Sequence, residues 1–342
     1  MPTDTVTSEG TPAPPGVVDE EVTYLDAIKE AHRVEMEADP NVFVIGEDVG
    51  VFGGAFNVTK GLIDQFGPMR VVDTPIAEAG FTGLAAGAAL MGLRPVVEFQ
   101  FADFISCAYD QIINVIARHH YRTGDAMPVV LRAPYAARLR AGGFHSQSVE
   151  TYFAHTPGLK IVAPGTAEDA YGLMRAAIRD NNPVLYLENR WLYRRVKATG
   201  PLPADPVPIG KAKVVRPGTK ATLITYGPTL LHAMEAAEQL DGEGVSVEVI
   251  DIRSLVPLDV ATIVESVKKT SRAVVVHEDA RFFGFGAEIA STIQEECFWH
   301  LDRPVVRLGA KDVPIPASGV LEDAVLVQTP QIVEAVRKVA TT

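Results

Sequence analysis

The chain has 342 residues, with 31 Lys and Arg against 43 Asp and Glu for a net charge of −12, and it is 47% hydrophobic and 22% charged. That length suits two domains of ordinary size, and the composition is too apolar for a disordered chain. The acidic balance argues against a nucleic-acid partner, whose affinity comes largely from Lys and Arg neutralising phosphates.

Residues 1–20 open with MPTDTVTSEGTPAPPG and carry no positive side chain before Lys29. They read as a disordered leader and not as a secretory or transit sequence. From Glu21 onward, short apolar runs alternate with longer helical patterns, the signature of parallel-sheet α/β architecture. Strands are expected at 42–46, 94–101, 127–133, 159–164 and 183–188, with helices at 22–38, 76–92, 104–120 and 166–180. The strands are continuously apolar, so both faces of their sheet should be covered.

Pro201, Pro203, Pro206 and Pro208 mark a stiff linker over 201–210, where neither helix nor strand is favoured. Beyond it the alternation resumes with KATLITYG, a helix from Thr229 to Leu240, VSVEVID, a helix near 259–269, RAVVVHE, a helix from Gly286 to Phe298, PVVRLG and a closing helix near 330–340. The expected division is therefore an α/β domain over 21–200 and a second over 211–342. The longest nearly apolar stretch, Ala79 to Leu93, is too short and too glycine-rich to span a membrane. Cys107 and Cys297 form neither a disulfide framework nor a zinc-ligand spacing, which points to the cytoplasm.

Several residues could carry chemistry. Glu78 lies in DTPIAEAGFTGLAAGAALMGLRP, where Asp73 or Thr74 could cap a helix with Pro75 at its first position. Among so many small and apolar residues the acid is expected to be buried and to find a partner or hold its proton; the alternative is an acid stabilised by the helix dipole. Glu47 and Asp48 follow the first strand directly. In open α/β sheets ligands bind at that edge, though an acidic pair there also suits a turn. His145, in RAGGFHSQS, follows the strand MPVVLRA on a loop with two glycines. It is either a proton-exchanging group beside a ligand or an exposed loop residue, and His155 in FAHTPG is a weaker candidate of the same kind.

No G-x-x-x-x-G-K-[ST] phosphate loop, G-x-S-x-G elbow, H-E-x-x-H or C-x-x-C occurs. Gly284 and Gly286 begin a dinucleotide fingerprint, but Ile289 stands at its third position, so GFGAEI reads as a tight turn opening a helix.

The ordered series GEDVG, GGAF, DTPIAEAG, GLRPVVEFQFADF, HSQS, FAHTPGLKIVAP, AAIRDNNPVLYLE and IDIRSLVPLD resembles the beta subunit of the thiamine-diphosphate-dependent 2-oxo acid dehydrogenases. These are the decarboxylating components of the pyruvate, branched-chain and acetoin dehydrogenase complexes. The resemblance runs collinearly over roughly residues 21–340 and implies an amino-terminal pyrimidine-binding domain followed by a transketolase C-terminal-like domain. It implies that Glu78 hydrogen-bonds the aminopyrimidine ring of thiamine diphosphate, with Glu47 supporting that network and Phe104 lying against the ring. His145 matches the beta-subunit histidine suited to acyl transfer onto lipoyl-lysine, while the preceding PYAARLRAGGF departs from the usual glycine-rich pattern. By position, Val129, Ala177, Ile178, Asp180 and Asn182 match a potassium site, although RDNNP is equally a helix-stop turn.

The diphosphate and its magnesium need a G-D-G motif followed by an asparagine, and no GDG occurs here. The resemblance therefore implies an alpha subunit that brings this part of the site, in a tetramer of two alpha and two beta chains, and a lipoylated acyltransferase core as acyl acceptor. Rival readings are another split thiamine enzyme, such as a transketolase or an acetoin-cleaving enzyme, a two-domain nucleotide-binding electron-transfer protein, and a non-catalytic assembly subunit.

Overall fold

The computed structural model describes residues 21–341, and the expected leader over 1–20 lies outside the described residues. Twelve strands form two sheets. They are β1 (Val42–Gly46), β2 (Val71–Asp73), β3 (Arg94–Glu98), β4 (Val130–Tyr135), β5 (Lys160–Val162), β6 (Val184–Asn189), β7 (Lys213–Arg216), β8 (Ala221–Thr225), β9 (Val247–Asp251), β10 (Ser254–Val256), β11 (Ala273–Ala280) and β12 (Val306–Ala310). One sheet has the order β10-β5-β6-β4-β3-β1-β2 and the other β12-β11-β8-β9-β7.

Each sheet is parallel except for one antiparallel edge strand, β10 beside β5 and β7 beside β9. Every residue of β1, β4 and β6 is buried, as expected of strands covered on both faces by helices. The short β2 and β10 are not evident from the sequence, because three residues are too few to show a period. β10 also carries a piece of the second half of the chain onto the edge of the first sheet. Tyr135, Tyr226, Ile252, Leu255 and Phe285 accordingly share one buried cluster that runs from one sheet to the other.

Connections set the site. From β1 the chain moves outward to β2, whereas from β3 it moves the opposite way to β4. The two connections diverge above the β1/β3 boundary, and such a divergence opens a crevice at the carboxyl ends of the strands.

Two expectations about helices need correction. The single helix expected over 104–120 is instead a 3₁₀ stretch (Ala102–Ala108), a π-helical turn (Gln111–Ile116) and an α-helical end (Ala117–Thr123). Phe101, extended just before the 3₁₀ stretch, and Phe104 within it pack edge-on at 5.7 Å between ring centroids. The helix expected from 76 begins at Glu78, its N-cap position is Ala77, and no side chain caps it. Asp73 ends β2 and its carboxylate accepts the amide of Gly50 at 2.6 Å, so neither Asp73 nor Thr74 caps the helix.

Candidate active site

Glu47 leaves β1 at the crevice. It is 5% exposed, and its Oε1 has no hydrogen-bond partner. Burial raises its pKa, with the charges of Glu78 and Asp48 adding to the effect. The turn that carries it is fixed from several sides. Asp48 takes a left-handed φ of 56° and its carboxylate accepts Gln100 Nε2 at 3.2 Å, while its carbonyl accepts the amide of Gly54 at 2.8 Å. Gly54 has a φ of +77°, and a Cβ there would lie 2.5 Å from Glu98 Oε1. Only glycine allows that approach of the Gly53–Phe56 loop to the end of β3.

Glu78 is the first residue of the helix Glu78–Leu90. The sequence suggests a buried acid; Glu78 is half-buried, and among the described residues no hydrogen bond or ion pair engages its side chain. The reason lies in the helix, which buries Phe81, Thr82, Ala85, Ala86 and Ala89 but leaves Gly80, Gly83, Leu84, Gly87 and Leu90 exposed. One chain covers one face of it.

Phe104 and His145 meet on the other side of the crevice. The ring of His145 packs edge-on against Phe101 at 4.3 Å and Phe104 at 5.5 Å between centroids, and no hydrogen bond occupies its ring nitrogens among the described residues. Asp103, from the same 3₁₀ stretch, accepts the amides of Ser146 and Gln147 at 3.2 Å each, so HSQS is tied to the aromatic turn. Glu47, Glu78, Phe104 and His145 thus stand along one sheet edge. His155 is exposed, at the carboxyl end of the short helix Glu150–Ala154.

The candidate potassium ligands form a separate turn at the opposite end of the strands. Asp180 Oδ1 accepts the amide of Asn182 at 2.8 Å, and its Oδ2 accepts Lys160 Nζ at 2.5 Å. The carbonyls of Val129, Ala177 and Ile178 accept Val184 N, Asp180 N and Arg94 Nη1 at 3.0, 3.3 and 3.0 Å. Each of these carbonyl oxygens keeps a second lone pair.

The sequence reading overlooks two groups at the site. Arg190 lies over the rings of Phe101 and Phe56 at 4.7 and 5.6 Å, and its Nη2 donates to the carbonyls of Ala136, at 3.2 Å, and His145. Beneath the crevice, Arg132 on β4 pairs with Glu98 on β3 and Glu188 on β6, all fully buried. A signal for the latter exists, since each charge interrupts an otherwise apolar strand pattern.

A further buried acid stands between the two sheets. Glu150 accepts the hydroxyl of Tyr226 at 2.9 Å, and Thr151 donates to Asp279 at 2.7 Å. Burial, reinforced by the charge of Asp279, pushes the Glu150 pKa up to about 8. The folded state therefore binds this proton more tightly than the unfolded state, so its contribution is complete below the ordinary carboxyl pKa and is lost as pH rises through about 8. Glu150→Gln removes that titration. Its melting temperature relative to wild type is expected to rise between pH 6 and pH 9 in parallel thermal scans; a constant gap would contradict the assignment.

Among the described residues, no helix is long and apolar enough to cross a membrane. Residues 20–196 match the family described as transketolase, pyrimidine binding domain, and residues 210–332 match transketolase, C-terminal domain. The chain is 46% identical over 321 residues to a pyruvate dehydrogenase E1 component subunit beta of Rickettsia felis, covering 93% of this chain and 98% of that one. It is 45% identical over 324 residues, with the same coverage, to a 2-oxoisovalerate dehydrogenase subunit beta of Bacillus subtilis. A solved split-gene transketolase, described as an inactive beta4 tetramer, superposes with a TM-score of 0.78 over 94% of this chain and 99% of its own at 23% identity. At that identity the likeness speaks for the fold alone.

Proposed function

This chain belongs to the family of beta subunits of the 2-oxo acid dehydrogenases, and we propose that with an alpha subunit it decarboxylates pyruvate or a branched-chain 2-oxo acid and passes the acyl group to lipoyl-lysine of an acyltransferase core. The observation that carries this reading is the pair of carboxyl groups at the crevice. Glu47 is buried with an unpartnered oxygen, and Glu78 stands near enough for its charge to raise the Glu47 pKa. An orphaned buried carboxyl is costly, and a heteroaromatic donor bound in the crevice would satisfy it.

The pyrimidine half of thiamine diphosphate fits this donor set, with Glu78 and Glu47 as its hydrogen-bonding acids and Phe104 against its ring. When bound, the cofactor supplies a nucleophilic carbon for the 2-oxo carbonyl. Glu78 exchanges a proton with the far ring nitrogen, a task suited to a carboxyl sheltered from water. Glu47, whose pKa burial raises, supports that hydrogen-bond network. His145, held between Phe101 and Phe104, keeps its ring nitrogens for the substrate and moves a proton as the acyl group leaves.

The diphosphate and its magnesium fall to the alpha subunit in this reading. No G-D-G motif occurs, and among the described residues no group of three or more His, Cys, Asp and Glu side chains is placed for a metal ion. The exposed face of the helix Glu78–Leu90, with its glycines and leucines, is read as the surface on which a neighbouring subunit completes the burial of Glu78. The carbonyls of Val129, Ala177 and Ile178, with Asp180 and Asn182, offer hard oxygen ligands that suit potassium, in a bracing role at the end of the helix Ala167–Arg179.

Co-expression with the alpha subunit tests the reading. Release of carbon dioxide from pyruvate or 2-oxoisovalerate, dependent on thiamine diphosphate and on both chains, is the expected result. Turnover with acetoin alone favours a different split thiamine enzyme, and no thiamine-dependent turnover with any of the three sinks the proposal. In the same complex, His145→Ala should lower acyl transfer to a lipoyl acceptor by about 10²-fold or more with assembly intact.

A further inference from the structure

The loop that delivers His145 has an unusual backbone. Between the end of β4 and His145, three residues that are not glycine take left-handed conformations: Ala136 at φ 70°, Arg138 at 72° and Arg140 at 58°. For residues with a Cβ this conformation is unfavourable, and it persists only where surrounding contacts over-determine it.

For Arg138 and Arg140 those contacts come largely from the second half of the chain. Glu278 on β11 accepts the amide of Ala137 at 2.9 Å with one oxygen and the guanidinium of Arg138 with the other. Glu322, from the helix Gly319–Val325, accepts the amide of Arg138 at 3.0 Å with one oxygen and Arg140 Nη1 at 2.6 Å with the other. Both acids are buried, and each engages the loop through one backbone amide and one arginine. Arg138 also donates to the carbonyl of Val327 at 3.1 Å and lies over Trp191 at 5.3 Å, while Arg140 pairs with Asp323 at 2.9 Å.

At the far end of the loop, Arg190 grips the carbonyls of Ala136 and His145. Every second residue from 136 to 140 is therefore in a conformation it would not choose, and the two acids that engage Arg138 and Arg140 sit at least 140 residues away in sequence. A charge-assisted hydrogen bond to a backbone amide fixes position better than packing alone, because it is short and directional.

We propose that Glu278 and Glu322 are positioning residues of the active site, acting through Arg138 and Arg140 to hold the loop in the conformation that places the His145 ring against Phe101 and Phe104. The proposal rests on the reading of His145 given above. It assigns to the second half of the chain a role in the chemistry of the first: the orientation of His145 depends on how β11 and the helix Gly319–Val325 are seated against the end of β4.

The test uses the assembled enzyme of alpha and beta chains. Arg138→Ala removes the guanidinium but keeps the backbone penalty, whereas Arg138→Gly removes both. Arg140→Ala removes the more exposed arm and keeps the measurement informative if Arg138 variants assemble poorly. Hydrogen exchange of residues 136–147 is expected to quicken about 10-fold or more in Arg138→Ala, less in Arg138→Gly, with exchange elsewhere unchanged. Turnover with a lipoyl acceptor should fall roughly 10- to 100-fold in Arg138→Ala, since a misplacement on the order of 1 Å costs that much, while KM for the 2-oxo acid stays within about two-fold. Unchanged exchange over 136–147 overturns the clamp, and faster exchange with unchanged turnover overturns its positioning role. Full activity in His145→Ala would instead remove the underlying reading of the site, whatever the exchange data show.

Discussion

Replacing Glu78 by Gln in the assembled enzyme is expected to lower turnover by about 10²- to 10⁴-fold, the span usual for removing a positioned proton donor, with little change in the melting temperature of the free chain. The asymmetry follows from the surroundings of Glu78. It is half-buried and its side chain makes no hydrogen bond or ion pair among the described residues, so the amide forfeits no such interaction there. What the amide cannot do is exchange a proton with a ring nitrogen. Glu47 provides the control, because its raised pKa owes part of its shift to the Glu78 charge. In Glu78→Gln that contribution disappears and the Glu47 pKa should fall toward the ordinary carboxyl range, a change that carboxyl-region infrared titration of the free chain can follow. A variant that keeps full turnover would show that another group handles the proton.

Much of the candidate site is legible in the sequence because its residues follow strand ends. Glu47 follows a five-residue apolar strand directly, so its place at the carboxyl edge of the sheet is a matter of counting. His145 lies on the loop that follows β4, at the same edge. What could not be read is the part that depends on contacts distant in sequence. Neither the three-residue β10 nor the clamp of Glu278 and Glu322 on the loop has a local signature, since each is defined by a partner in the other half of the chain. The expected burial of Glu78 shows a different limit. A helix rich in Gly and Ala indicates that close neighbours exist, but not whether they belong to the same chain, and here one face of Glu78–Leu90 stays open. The 104–120 segment misleads for a third reason: its apolar spacing is helical on average, while Phe101, Phe104 and the tie from Asp103 to Ser146 and Gln147 impose a tighter winding at its start.

The largest loss of stability is expected from Arg132. Its guanidinium is fully buried between Glu98 and Glu188, donating to one oxygen of Glu98 and to both oxygens of Glu188, where Tyr193 donates as well. Removing one partner of a buried pair leaves uncompensated charge and costs about 3–5 kcal/mol, a large share of the roughly 5–15 kcal/mol that holds an ordinary domain together. Burial already raises the Glu98 pKa to about 7, against the lowering effect of the Arg132 charge, so in Arg132→Met that group takes up a proton at neutral pH. Adding Glu98→Gln and Glu188→Gln to Arg132→Met removes every charge from the cluster, and with it the uncompensated charge that makes the single variant costly. Urea denaturation should therefore show a deep loss in the single variant and recovery of at least about half of it in the triple. The consequences reach the site, because Glu98 Oε1 is the atom that a Cβ on Gly54 would strike at 2.5 Å; a shifted Glu98 moves the Gly53–Phe56 loop, and with it the turn that carries Glu47. Equal losses in the single and triple variants would mean that the shape of the guanidinium, and not its charge, is what β3, β4 and β6 are packed around.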